Sequence, residues 1–213
     1  MTAPKPAPRR PYDSSRRLAA ARRSRAAVLD AARELVFLDG YAATTVRAVA
    51  ERAGVSPETV YKGFGGKPGL MKALWDTTLA GDDAPLAMAE RPELQEVFRA
   101  ADPATALRRY AAFVRGVHER TAPLFAVLGA AGPEVAELLA VAEEERLTGV
   151  TAFVGRLAGR GQCTAADLGA VADACWVLTG PQVYTRLTAD RGWSADAYEG
   201  WLAGVLAATL SAP

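Results

Sequence analysis

Histidine and cysteine are almost missing from this chain. His118 is the one histidine, and Cys163 and Cys175 are the two cysteines, among 213 residues. That number excludes a disulfide framework and matches no zinc-ligand spacing, so no metal and no cofactor is expected. No nucleophile–base–acid set is readable either, so no catalytic residue and no enzyme activity is expected. Long apolar runs are missing too. The longest internal stretch without charge, residues 121–133, has 13 residues and two prolines, too short to cross a bilayer. The first residues lack the continuous apolar segment of a secretory signal, and a reduced, cytoplasmic setting is the expectation. Net charge is also scarce, at +1, but it is unevenly spread. Residues 1–67 hold thirteen Lys or Arg against six Asp or Glu, and the remainder holds twelve against eighteen. A basic first third attracts a polyanion that the acidic remainder would repel. Half the residues are hydrophobic, enough to bury one large core or two small ones.

Residues 44–67, TTVRAVAERAGVSPETVYKGFGGK, carry the densest local signals. Thr44 stands where a helix cap accepts a hydrogen bond from an orphan backbone N–H. Val46, Val49, Ala50 and Ala53 then recur at the spacing of one helix face. Gly54 is placed to take the positive φ of a helix stop, Ser56 offers a second cap, and Pro57 suits the first helical position. Val55 and Val60 flank that second start as a hydrophobic staple. Two short helices joined by a turn of three to four residues form a helix-turn-helix, read here as a DNA reader. Two core helices meeting at a corner is the alternative. Helices this short need a platform. Val28, Leu29, Ala32, Leu35 and Val36 supply one, on a helix over residues 22–38 closed by Gly40. Its Arg22, Arg23 and Arg25 lie where phosphates would pass. Ahead of it, Pro4, Pro6, Pro8 and Pro11 with the pairs Arg9–Arg10 and Arg16–Arg17 predict a disordered basic arm. Such an arm adds phosphate attraction or enters a minor groove.

The string RAAVLDAARELVFLDGYAATTVRAVAERAGVSPETVYKGFGGKPGL, residues 25–70, resembles the DNA-binding head of TetR-family transcriptional regulators. Arg25, Ala31–Ala32, Leu35, Gly40–Tyr41, Thr44–Thr45, Val49–Ala50, Ala53–Gly54–Val55–Ser56, Thr59, Tyr61, Phe64, Lys67 and Leu70 stand where that family's pattern has them. The resemblance implies an all-α fold, an N-terminal three-helix helix-turn-helix DNA-binding head followed by a helical ligand-binding and dimerisation domain. The division expected is an arm over residues 1–21, a DNA-binding domain over 22–82 with its motif at about 45–64, and a C-terminal domain over 83–213. It further implies a repressor that binds a pseudo-palindromic double-stranded DNA operator as a homodimer and is released by a small-molecule effector. Tyr61 and Lys67 would then contact phosphates, with Thr44 and Thr45 near the DNA backbone. Arg47 and Ser56 join them as candidates. The chain departs from the pattern at Gly63, where many members carry His or another bulky residue, so that side-chain contact is absent.

Helical geometry places Glu58 and Lys62 near the centre of the face opposite Val60, with Thr59 and Tyr61 on its flanks. In a major groove Lys62 would donate to guanine, Glu58 would accept from cytosine N4 and Thr59 would meet a thymine methyl. Alternatively, Glu58 and Lys62 form an i,i+4 ion pair. The segment GGKPG, residues 65–69, fails as a nucleotide loop, because Tyr61 replaces the first glycine and Pro68 the hydroxyl. It starts a fourth helix over residues 67–78 instead.

Beyond residue 81, helices are expected over 93–100, 103–120, a short span between Pro123 and Pro133, 134–158, 165–178 and 182–189, broken at Gly180–Pro181. Glu143, Glu144 and Glu145 read as a solvated face. Ser194 caps a last helix, with Trp193 and Tyr198 at its staple positions. That helix is apolar on nearly every side, so its second face belongs to this chain's core or to another subunit. Gly200, Gly204 and Ala208 form a small-residue row along it, and Trp201, Gly204, Val205 and Ala208 are the candidate dimer contacts. Trp75, Phe98, Tyr110, Phe113, His118, Phe125, Trp176 and Tyr184 are candidates for an effector pocket or for plain core packing. An apolar or aromatic small molecule suits that composition. A rival reading, an architectural DNA binder without an effector, requires a body with no internal cavity.

Overall fold

Leu18, Ala19, Ala20 and Ala21 are strong helix formers, and with the arginines around them they carry the first helix further upstream than expected. The structure, a computed structural model, describes residues 14–211. Helix α1 spans Ser14–Ala43, so residues 14–21 extend the platform helix and are not a disordered arm. The rest of the expected arm, residues 1–13, lies outside the described residues. Gly40, at φ 79° and ψ 171°, kinks α1 just before its last turn and turns Tyr41 into the core. Three helices complete the head: α2 (Val46–Ala53), α3 (Pro57–Phe64) and α4 (Lys67–Ala80). The body follows with α5 (Pro92–Phe98), α6 (Pro103–Gly129), α7 (Ala136–Ala158), α8 (Leu168–Leu178), α9 (Pro181–Thr185) and α10 (Ala195–Leu210). Among the described residues there is no strand.

Two apolar cores organise these helices. The head's core gathers Val28, Val36, Val49, Val60, Leu70 and Leu74. The body's core gathers Leu107, Tyr110, Val150, Phe153, Leu202 and Leu206, among others, where α10 packs on α6 and α7 on α8. Helix α6 joins the two, because Leu124 and Leu128 at its far end belong to the head's core. This corrects the expected end near residue 120 and the separate short helix beyond it, for α6 continues straight through Pro123. An interior proline costs about 3 kcal/mol. Burying two leucines completely returns about 2 kcal/mol each, so the continuous rod wins.

Other boundaries follow local chemistry. Helix α8 starts at Leu168 and not at residue 165, because the Asp167 carboxylate accepts from the Gly169 and Ala170 amides at 2.9 and 3.0 Å. The Gly180–Pro181 break is present, with Pro181 opening α9. Ser194 caps α10, accepting from the Ala197 amide at 3.1 Å. Tyr198 behind it is fully buried, and the Trp193 ring meets Trp201 edge-on, with centroids 6.2 Å apart.

Candidate nucleic-acid interface and effector cavity

The helix-turn-helix is built from caps. Thr45, one residue after the expected Thr44, caps α2 by accepting from the Ala48 amide at 3.1 Å. Thr44 is buried instead, and its hydroxyl donates to the Gly40 carbonyl at 2.8 Å, so the side chain anchors the kink of α1 and does not face DNA. Gly54 takes φ 67° at the end of α2, and Val55 donates back to the Ala50 carbonyl at 3.0 Å. Ser56 caps α3, with Pro57 in its first turn, and Val60 is buried beneath. The GGKPG segment turns α3 into α4. Gly65 ends α3 at φ 75°, and a Cβ on Gly69 would lie 1.9 Å from the Phe64 carbonyl oxygen. Backbone packing demands this glycine.

The outer face of α2 and α3 presents Thr45, Arg47, Ser56, Glu58, Thr59, Tyr61 and Lys62, all exposed. Tyr61 is a large ring left 56% exposed. Glu58 does not pair with Lys62. Its carboxyl is held below its usual range by its own backbone N–H and by the Ser56 hydroxyl. The Lys62 ammonium is thereby left on the outer face. Lys67 is half-buried; its ammonium donates to the Ala42 carbonyl at 3.2 Å and lies 3.9 Å from the centre of the Tyr41 ring, and desolvation lowers its pKa. It ties α4 to α1 before it meets anything else. Arg25, expected near phosphates, pairs with Asp83 at 2.9 Å and covers the Phe64 ring at 4.9 Å.

A model of bacterial regulatory proteins of the tetR family matches residues 28–74. The match falls on the helix-turn-helix head, which is similar to that of the TetR family. Within it, 47 residues are 47% identical to the uncharacterized HTH-type transcriptional regulator YvkB of Bacillus subtilis (strain 168), covering 22% of this chain and 25% of that protein. The chain thus spans about a quarter of the length of that relative. Solved structures extend the likeness to the fold of the whole chain. A proposed TetR-family transcriptional regulator from Rhodococcus sp. superposes with TM-score 0.67 at 21% identity, over 89% of this chain and all of that one. FadR from Bacillus subtilis, in complex with stearoyl-CoA, gives 0.64 at 17%, over 86% and 98%. NalD, the secondary repressor of the MexAB-OprM multidrug efflux pump in Pseudomonas aeruginosa, gives 0.63 at 18%, over 91% and 98%.

Behind the head, the body holds a half-open cavity of about 630 Å³, walled mainly by α4, α6, α7 and residues 82–91. Of the expected pocket aromatics, Trp75, Tyr110, Phe113 and His118 line it. The other four pack elsewhere. Phe98 lies against Phe153 and under Arg156, and Phe125 against Trp75 in the head's core. Trp176 lies under Arg146, and Tyr184 against Tyr198 and His118. Sequence reasoning missed Thr121, Arg146 and Thr179 in the wall. Arg146 directly follows the glutamate run whose pattern predicts a solvated face. It reaches inward to the Trp176 carbonyl at 2.5 Å and pairs with a half-buried Glu143. His118 is buried, and its Nε2 lies 3.0 Å from the Thr179 carbonyl oxygen. Burial pushes its pKa down to about 4, with nearby Arg146 acting in the same direction against the Thr179 hydrogen bond.

On α10, none of whose residues line the cavity, the Gly200, Gly204 and Ala208 row is exposed, with Trp201 and Val205 half-buried beside it. Val177 of α8 adds a large exposed apolar side chain, at 55% exposure, and α8 packs against α10.

Proposed function

We propose that this chain is a DNA-binding transcriptional repressor that binds a pseudo-palindromic operator as a homodimer and is released by a small molecule held in the body. The observation that carries this reading is the doubly capped helix α3, rooted by Val60 and presenting Glu58, Thr59, Tyr61 and Lys62 outward. Lys62 and Glu58 suit base edges, and Tyr61, Thr45 and Arg47 suit the flanking phosphates. Residues 22–82 form the DNA-binding domain and 83–213 the effector and dimer domain, working in a cytoplasmic setting. The exposed row of α10, together with α8, is the surface for a second copy, since small residues let helices approach closely. The cavity favours an effector-released regulator over an architectural binder.

The structure offers a route for release. Helix α6 walls the cavity through Tyr110 to Thr121 and ends with Leu124 and Leu128 in the head's core. Helix α4 also walls the cavity, through Trp75 and Leu79, and holds Leu70 and Leu74 in that core. A ligand that fits one arrangement of α4 and α6 better than another shifts the spacing of the two heads in the dimer. Selection of bound fragments from a random DNA pool tests the reading. An enriched inverted repeat is expected, and a pool without enrichment would overturn it.

A further inference from the structure

The cavity wall carries charge, but its four cations are all paired and are outnumbered by five carboxylates, Glu145 among them. Arg25, Arg91 and Lys72 line it, and each is paired with an acid that lines it too: Arg25 with Asp83, Arg91 with Asp82 at 2.8 Å, and Lys72 with Asp76 at 2.6 Å. Arg146 is likewise paired, with Glu143. An anionic ligand would meet a surplus of carboxylates and cations already shared with them, although Arg91 Nε–H lacks a partner of its own, whereas a neutral ligand leaves the pairs intact.

His118 supplies the complementary observation. The Thr179 carbonyl can only accept, so the Nε2 that faces it carries the proton and donates. Neutral imidazole then has a bare lone pair on Nδ1, and that buried nitrogen has no hydrogen-bond partner. His118 is only 4% exposed, and burial resists the protonation that would turn Nδ1 into a donor. A buried polar atom without a partner is costly, so a ligand that satisfies it gains affinity.

Resting on the reading of this cavity as the effector site, we infer that it takes an uncharged, largely apolar molecule bearing a hydroxyl or N–H group that donates a hydrogen bond to His118 Nδ1. Carboxylates and acyl-CoA anions are disfavoured by the same walls. The apolar surface of Phe113, Val114, Val117 and Leu94 accommodates the body of the ligand, and His118 orients its single donor.

Three probes with one apolar body separate the possibilities: 4-octylphenol, its methyl ether 4-octylanisole, and 4-octylbenzoate. Calorimetric titration into the full chain is expected to show the phenol binding at least tenfold more tightly than either of the others. The variant His118→Gln keeps a donor for the Thr179 carbonyl but places no acceptor at Nδ1, and should bring the phenol to the level of the ether. The variant His118→Asn keeps an acceptor near Nδ1 and should retain part of the preference. Tyr198→Phe removes an unpartnered buried hydroxyl near His118 and should leave the preference intact. Thermal melts of each variant establish that it is folded. Equal binding of phenol and ether, tighter binding of the benzoate, binding of none of the three, or a preference that survives in folded His118→Gln would overturn the inference. Phenol binding with the expected preference that leaves the operator complex intact would support the ligand class while sinking release by the ligand.

Discussion

Lys62 and Tyr61 stand exposed on α3 directly beside the fully buried Val60, so either can be shortened without opening the core. Lys62→Ala is expected to weaken operator binding by about 1–3 kcal/mol if it reads a base. Tyr61→Ala should weaken binding about equally across sequences, as loss of a phosphate contact does. Gel-shift titrations of both variants, with melting curves alongside, check this; wild-type affinity in both would remove α3 from the DNA interface. His118 makes a prediction of a different kind. Its imidazole protonates below about 6.5 when the chain is unfolded, but only below about 4 when folded. Between those values the unfolded chain binds more protons, so stability present above pH 6.5 is lost as pH falls toward 4. The contribution is on the order of 3 kcal/mol. Urea melts across that window should show it, and His118→Leu should flatten the slope.

At the scale of elements, the α3–α4 junction is fixed by backbone contact. Gly69→Ala would force a Cβ onto the Phe64 carbonyl and push the two helices apart. A loss of about 1–3 kcal/mol is expected in denaturant melts, with operator binding falling further as α3 shifts. An unchanged midpoint would show that the junction yields freely. Helix starts and stops were largely legible in the sequence. Ser56, Pro57, Gly54, Ser194 and the Gly180–Pro181 break act on backbone groups a few residues away, so their chemistry is local. Thr44 and Thr45 show the limit of that legibility. Two adjacent threonines offer the same hydroxyl, and only the kink at Gly40 decides which one is buried and which one caps. Pro123 marks the same limit, since its local cost is outweighed by distant leucine burial in the head's core.

The whole molecule depends on surfaces that no single helix defines. Gly204 is exposed on α10 and a Cβ there meets nothing within 4 Å, so Gly204→Glu is expected to leave the subunit folded and place a charge on the proposed interface. Sedimentation velocity should then show loss of the dimer and gel shifts a loss of operator affinity; a persistent dimer would move the interface away from α10. The sequence by itself determined the all-helical class, the capped helix-turn-helix and the basic bias of the head, because these rest on periodicity, caps and charge counted along the chain. Only the tertiary structure decided which aromatics line the cavity, why Arg25 and Lys67 are engaged within the protein, and how α6 joins two cores. Those outcomes depend on contacts between residues tens of positions apart, where burial outweighs local preference.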